Sequence, residues 1–140
     1  MLARSKARKQ ALDILYESDI RSSSPIDILT SRDISEVGLD SRPIREYTRE
    51  IIEGVSAHRR KIDELISTYA QGWDMDRLPT VDRNIMRLAL YEILWCQDLD
   101  DAIAIDEALS LAKELSTDES AAYIHGVLGR IASIKEGLAL

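Results

Sequence analysis

A chain of 140 residues with a formal net charge of -7, 45% hydrophobic and 31% charged, has the length of one domain and the composition of a folded globular protein. Folding at this size buries roughly 70% of the surface that the unfolded chain exposes. These values exclude intrinsic disorder, and no stretch approaches the roughly 18 uninterrupted apolar residues of a membrane span. The charged start lacks the apolar run of a secretory signal and Cys96 is the only cysteine, so the expectation is a cytoplasmic protein without internal disulfides.

Apolar residues recur at intervals of three and four through nearly every segment, while strand-like alternation and Asn-Gly or Asp-Gly hairpin turns are absent. The expected fold class is therefore all-α. The first ten residues carry Arg4, Lys6, Arg8 and Lys9 and no acid, which leaves 14 basic against 25 acidic residues, a formal -11, for the remainder. A short basic arm over residues 1–10 on an acidic body points to an anionic partner, with nucleic acid foremost. The first helix is predicted from about Ser5 to Asp19, with Ala7, Ala11, Ile14 and Leu15 on one face. Ser22, Ser23, Ser24 and Pro25 break it. Ser24 is the expected cap and Pro25 the first-turn residue of a short helix that holds Ile26, Ile28 and Leu29 and ends near Ser31.

A loop is expected from Glu36 to Arg42, after which Pro43 can open a helix because its missing N–H costs nothing there. Ile44, Tyr47, Ile51, Val55, Ile62, Leu65 and Tyr69 then recur at helical spacing, and Gly54 and Ser56 predict two helices that meet near Ser56. Gly72 to Pro79 is a connection. Val81, Ile85, Leu88, Ala89, Glu92 and Ile93 define an amphipathic helix through about Cys96, followed by a turn at Asp98 to Asp101. Another helix holds Ile105, Ala108, Leu109, Ala112 and Leu115. Ser116 and Glu119 have the spacing of a capping box, so the last helix is predicted to begin near Thr117, with Ile124, Val127, Leu128 and Ile131 on one face. Gly126 and Gly129 are expected to admit a neighbouring helix closely. No linker or repeat divides residues 1–140, which read as a single domain of about seven helices.

Groups able to carry chemistry are sparse. His58 and His125, with one cysteine, cannot supply a conventional four-ligand zinc site. An EF-hand loop started at Asp98 needs glycine where Ile103 stands and glutamate where Leu109 stands. No glycine-rich phosphate loop, Gly-x-Ser-x-Gly elbow or Cys/His nucleophile arrangement is present. Neither an enzyme, nor a metal, nor a cofactor is expected, and Cys96 beside Trp95 reads as an inert core thiol. Arg4 and Arg8 are one helical repeat apart, and Lys9 and Tyr16 lie two turns apart on a similar side. Cations beside an aromatic suit RNA, where cations meet phosphates and flat side chains stack on unpaired bases.

Several short motifs fall in a specific order: Ala7-Arg8-Lys9-Gln10-Ala11-Leu12 running into Leu15-Tyr16-Glu17, then Gly54-Val55, then Leu78-Pro79-Thr80-Val81-Asp82-Arg83 with Arg87, Leu90, Tyr91 and Glu92. Ala104-Ile105-Asp106-Glu107-Ala108, Leu111-Ala112-Lys113 and Gly126-Val127-Leu128 complete the series. With these motifs the chain resembles the NusB family of bacterial transcription antitermination factors. The resemblance implies an all-helical fold of two packed helical sub-bundles without a catalytic site. It also implies binding to the boxA RNA of ribosomal RNA leader transcripts together with NusE, a small-subunit ribosomal protein, on the transcribing RNA polymerase complex. Matched by motif, Arg4, Lys6, Arg8 and Lys9 would meet RNA along with Glu119 and Tyr123, and Tyr16 and Asp82 would face NusE.

The final motif departs from the family pattern, in which a basic residue precedes Phe-Val-Asn-Gly-Val-Leu. Here Ala122 precedes Tyr123-Ile124-His125-Gly126, which keeps a stacking ring but removes a cation and an amide. The charge asymmetry fits two partners, with RNA drawn to the amino-terminal cations and a basic protein to the acidic remainder. Two other readings of the sequence are an RNA-targeting module like that of ribosomal RNA cytosine methyltransferases, for which the chain is short, and a helical adaptor that binds protein alone.

Overall fold

The computed structural model describes residues 2–34, 43–72 and 75–140, so the loop expected at 36–42 lies outside the described residues. Among the described residues seven α-helices follow one another: α1 (Ala3–Arg21), α2 (Pro25–Ile34), α3 (Glu46–Ala57), α4 (Arg59–Tyr69), α5 (Thr80–Trp95), α6 (Asp101–Leu115) and α7 (Asp118–Ile134). Single 3-10 turns occupy Met75–Arg77 and Lys135–Gly137. No strand occurs among the described residues.

Local chemistry sets the helix ends. The four amino-terminal cations stand on the first two turns of α1, which begins at Ala3, two residues before the predicted Ser5. At the other end Ser22 takes the left-handed conformation (φ 54°, ψ 39°), and the Ser23 N–H reaches back to the Ser18 carbonyl at 3.0 Å. That contact satisfies a terminal carbonyl and offsets the strain of a non-glycine residue there. Pro43 does not open α3. Its carbonyl instead accepts from Gln10 Nε2 at 3.1 Å, and the helix starts at Glu46.

The break between α3 and α4 falls at His58, two residues beyond Ser56. Its N–H closes α3 on Gly54, and its ring stacks on Trp95 with centroids 4.0 Å apart. The cap of α7 is Thr117, whose Oγ1 accepts from the Ser120 N–H at 2.9 Å. The expected Ser116–Glu119 box does not form, because Ser116 turns its hydroxyl to Ser120 Oγ.

Helices α1, α2 and α3 pack on one another, as do α5, α6 and α7. The two sub-bundles share α5, which lies against α1 and α3 on one side and α6 and α7 on the other, while α4 joins α5 and α7. The core is continuous from Ile14, Ile51 and Ile52 through Ile85, Met86 and Leu90 to Ile124, Leu128 and Ile131. Each such buried side chain contributes on the order of 1.5–3 kcal/mol by leaving water.

The close helix approach occurs at Gly54, where a Cβ would fall within the ring of Tyr91. At Gly126 and Gly129 a Cβ would meet open space, so these glycines do not mediate the packing expected of them.

Candidate functional site

The amino-terminal cations divide into two environments. Arg4 and Lys6 are exposed, and among the described residues neither is in an ion pair. Lys9 is half-exposed and pairs with Glu114 at 2.5 Å. Arg8 is 2% exposed. Its Nε donates to both oxygens of Glu92 at 3.0 Å, its Nη2 lies 2.9 Å from Glu92 Oε2, and its Nη1 meets Glu107 at 3.0 Å. Burial opposes the charge on Arg8, but the hydrogen bond and charge of Glu92 outweigh it and hold the guanidinium above its ordinary pKa. Arg8 is thus a core ion-pair residue. The donors that the sequence expectation assigned to RNA are turned toward Glu92 and Glu107.

Glu92 is fully buried and also accepts a short hydrogen bond from the Tyr47 hydroxyl. Burial first, and then Glu92, push that hydroxyl well above the ordinary tyrosine range. The Tyr47 ring in turn lies beneath Arg4, whose guanidinium carbon is 4.5 Å from the ring centroid. Ser5 completes the cluster by donating to Glu107 at 2.6 Å. Tyr47, Glu92 and Glu107 went unassigned in the sequence reading. A usable signal existed for Glu92, a carboxylate on the apolar face of α5, because such a group needs a buried cation.

Tyr16 belongs to a different place. It is 44% exposed and lines a groove of about 400 Å³ with Leu12, Asp13, Thr80, Val81 and Leu115. Asp82, placed with Tyr16 by motif, is only 3% exposed, and Thr80 and Val81 present that turn of α5 to the groove. Its Oδ1 is buried without a hydrogen-bond partner among the described residues. The carboxylate sits in the first turn of α5, where the helix dipole favours negative charge. Asp82, matched by motif to the NusE side, is thus buried in the turn whose Thr80 and Val81 line the groove.

Glu119 is exposed on the first turn of α7, and Tyr123 is partly buried, with its hydroxyl donating to the Gln71 carbonyl at 3.4 Å. Burial raises the Tyr123 pKa. The groove brings the end of α6 to the start of α5, whereas Arg8 brings the start of α1 to the end of α5. Arg4 and Lys6 therefore stand at one end of α5, and Glu119 and Tyr123 lie toward the other. Lys9, paired with Glu114 near the end of α6, lies between them.

A second ionic cluster escaped the sequence reading. Asp19 Oδ2 accepts from Arg83 Nε at 2.9 Å, Asn84 Nδ2 at 2.8 Å and Arg87 Nη1 at 2.7 Å, while Oδ1 faces Arg59 at 3.4 Å. Arg87 bridges onward to Asp63 at 2.8 Å. Burial works against the Asp19 charge, but hydrogen bonds from Arg83 and Asn84 and the charges of Arg87 and Arg83 prevail, so its carboxyl ionises below the ordinary aspartate value. At the end of α5, burial and a hydrogen bond to Cys96 push the Tyr91 hydroxyl up to about 12. The pKa of the partly buried Cys96 thiol is itself raised, chiefly by burial, which favours its protonated form. Among the described residues no three His, Cys, Asp or Glu are grouped to hold a metal ion. No described helix is long and apolar enough to cross a membrane.

The NusB family model matches residues 5–133. The chain belongs to the NusB family. It is 50% identical over 139 residues to the transcription antitermination protein NusB of Saccharopolyspora erythraea, covering 99% of this chain and 92% of that protein. Identity to NusB of Beutenbergia cavernae is 48%, with 94% and 90% covered. Among solved structures, T. maritima NusB superposes with a TM-score of 0.80 at 31% identity, covering 98% of this chain and 99% of that one. A NusB chain from the crystal structure of antitermination factors NusB and NusE in complex with dsRNA shares the fold, with a TM-score of 0.75, 22% identity and coverage of 98% and 100%.

Proposed function

We propose that this chain is an RNA-binding transcription antitermination factor that works with NusE in the cytoplasm, by assembly and without chemistry of its own. The observation that carries the reading is full-length similarity to NusB antitermination proteins at 50% identity. A relative of the same fold has been crystallised with NusE and dsRNA. The RNA is the boxA element of ribosomal RNA leaders, and the assembly acts on the transcribing polymerase to support ribosomal RNA synthesis and maturation.

The surfaces divide the work. Arg4, Lys6 and Lys9 attract phosphate, and Glu119 with Tyr123 adds a ring for a base and an acceptor for its edge at the far end of the track. The groove around Tyr16, with exposed Leu115 and Asp13 on its rim, suits a basic protein that also carries an apolar anchor. Tyr16 and Asp82, with the groove-lining Val81 beside them, are the residues to test against NusE. The test is a filter-binding titration of boxA RNA and a scrambled control, each with and without purified NusE. Selective retention of boxA that rises when NusE is added is expected. Equal retention of both RNAs, or no response to NusE, would overturn the reading.

A further inference from the structure

We propose that Tyr47 is a positioning residue for RNA binding, holding the Arg4 guanidinium over its ring so that the guanidinium edge is presented to a phosphate. The proposal rests on the RNA reading above and adds a residue to that surface. It starts from the one-turn spacing of Arg4 and Arg8 on α1. Arg8, one turn further in, takes the buried carboxylates Glu92 and Glu107. Arg4 is left with no carboxylate among the described residues and comes to rest over Tyr47, 4.5 Å from the ring centroid.

That ring is fixed from below. The Tyr47 hydroxyl donates to Glu92 Oε2, and Glu92 is fully buried and held by two further hydrogen bonds from Arg8. The Arg8 guanidinium also lies 5.6 Å from the same centroid. A ring tied to a buried ion pair is a rigid platform on which a long, rotamer-rich side chain loses its freedom before the ligand arrives.

The chemistry of the guanidinium decides what the platform is for. A cation meets an aromatic through the negative face of the ring, whereas the five N–H donors of arginine lie in the guanidinium plane. Contact with Tyr47 engages the cation without consuming those donors. They are free to form the paired hydrogen bonds that arginine makes to phosphate oxygens, and one side of the cation is already shielded from water. A carboxylate in place of Tyr47 would neutralise Arg4, and an aliphatic residue would leave it mobile. Helical spacing places Tyr16 on a similar side to Lys9. The ring that meets a cation is Tyr47, on α3.

The experiment is a double-mutant cycle on the full-length chain, with NusE present and a fluorescein-labelled single-stranded boxA RNA as probe. Tyr47→Leu is expected to weaken binding by roughly two- to fivefold, the worth of an exposed cation–π contact. In an Arg4→Ala background the same change is expected to have no further effect. Tyr47→Phe, which keeps the ring and loses only the tether to Glu92, is expected to recover most of the affinity lost in Tyr47→Leu. Thermal melting of each variant reports on the fold, and the coupling between the two positions is a readout that general loosening of the structure would not move. Equal losses from Tyr47→Leu with and without Arg4 would overturn the proposal, as would Tyr47→Phe behaving like Tyr47→Leu. Absence of RNA binding by the unmodified chain with NusE would instead remove the underlying RNA reading, and the proposal with it.

Discussion

The two ends of α1 solve the same electrostatic problem with opposite signs. At its start, where the helix dipole favours acids, the helix carries Arg4, Lys6, Arg8 and Lys9 and has no acid in the first turn. Toward its end, where the dipole favours cations, Asp19 gathers Arg59, Arg83 and Arg87. Both placements work against the helix considered alone, by about 0.3–1 kcal/mol per charge. The difference lies in what the tertiary structure does with them. At the Asp19 end every arginine drawn to the carboxylate is used in packing α1 against α4 and α5. At the other end only Arg8 is drawn in, by Glu92 and Glu107, and Arg4 and Lys6 stay outside. A cluster whose charges are all paired reads as structure, and one that leaves cations over reads as a surface for an anion.

The comparison breaks most directly at Glu92. Glu92→Gln keeps the shape of the side chain but leaves the buried Arg8 with Glu107 alone, so a loss of about 3–5 kcal/mol is expected in urea denaturation. A loss under about 1 kcal/mol would mean that Arg8 finds other partners or water. Asp19→Asn comes next, at about 2–3 kcal/mol, because the Asp19 carboxylate keeps some exposure to solvent and Asp63 still holds Arg87. This variant also carries a pH signature. A carboxyl that ionises below its ordinary value when folded contributes stability above the unfolded pKa of about 3.9 and loses it as pH falls through the lower folded value. The acid limb of the stability profile should therefore flatten in Asp19→Asn; an unchanged limb would show that other carboxylates dominate acid unfolding.

The smallest effect on stability is expected from replacing Arg4, Lys6 and Lys9 together by alanine. Surface positions and one exposed ion pair together contribute at most about 1 kcal/mol. The same triple variant should nonetheless flatten the dependence of log RNA affinity on log salt by about 2, at roughly 0.7 per phosphate contact. A variant that melts normally and keeps its full salt slope would remove these cations from the RNA surface. Asp82→Lys does not serve as a clean interface test, because a lysine at a 3% exposed site disturbs the fold before it reports on a partner.

Periodicity was enough to read the helices, since α5, α6 and α7 each bury one face that recurs every three or four residues. Their ends were harder. Ser116 and Thr117 are adjacent hydroxyls, and backbone geometry alone decides which one caps α7. The roles of the glycines reversed for a similar reason: spacing finds Gly126 and Gly129 on a helix, but only the assembled bundle says that Gly54 meets a ring and they meet solvent. Arg8 and Lys9 look alike in sequence, yet one is buried and the other half-exposed. The partner that decides this, Glu92, is 84 residues from Arg8 along the chain. Charge composition sets the amino-terminal segment apart, and long-range pairing determines which of its cations are left without a carboxylate.

Glu92 also sets a timetable for the chain as it is made. Arg8 on α1 and Tyr47 on α3 share an acceptor that is synthesised long after both of them. At about 5–20 residues per second the chain takes on the order of 4–17 s to advance the 84 positions from Arg8 to Glu92. Until then the Arg8 cation and the Tyr47 hydroxyl lack their Glu92 acceptor, and the apolar face of α1 lacks α5. The first half of the protein therefore reaches the partner of its buried charge only once α5 has been made.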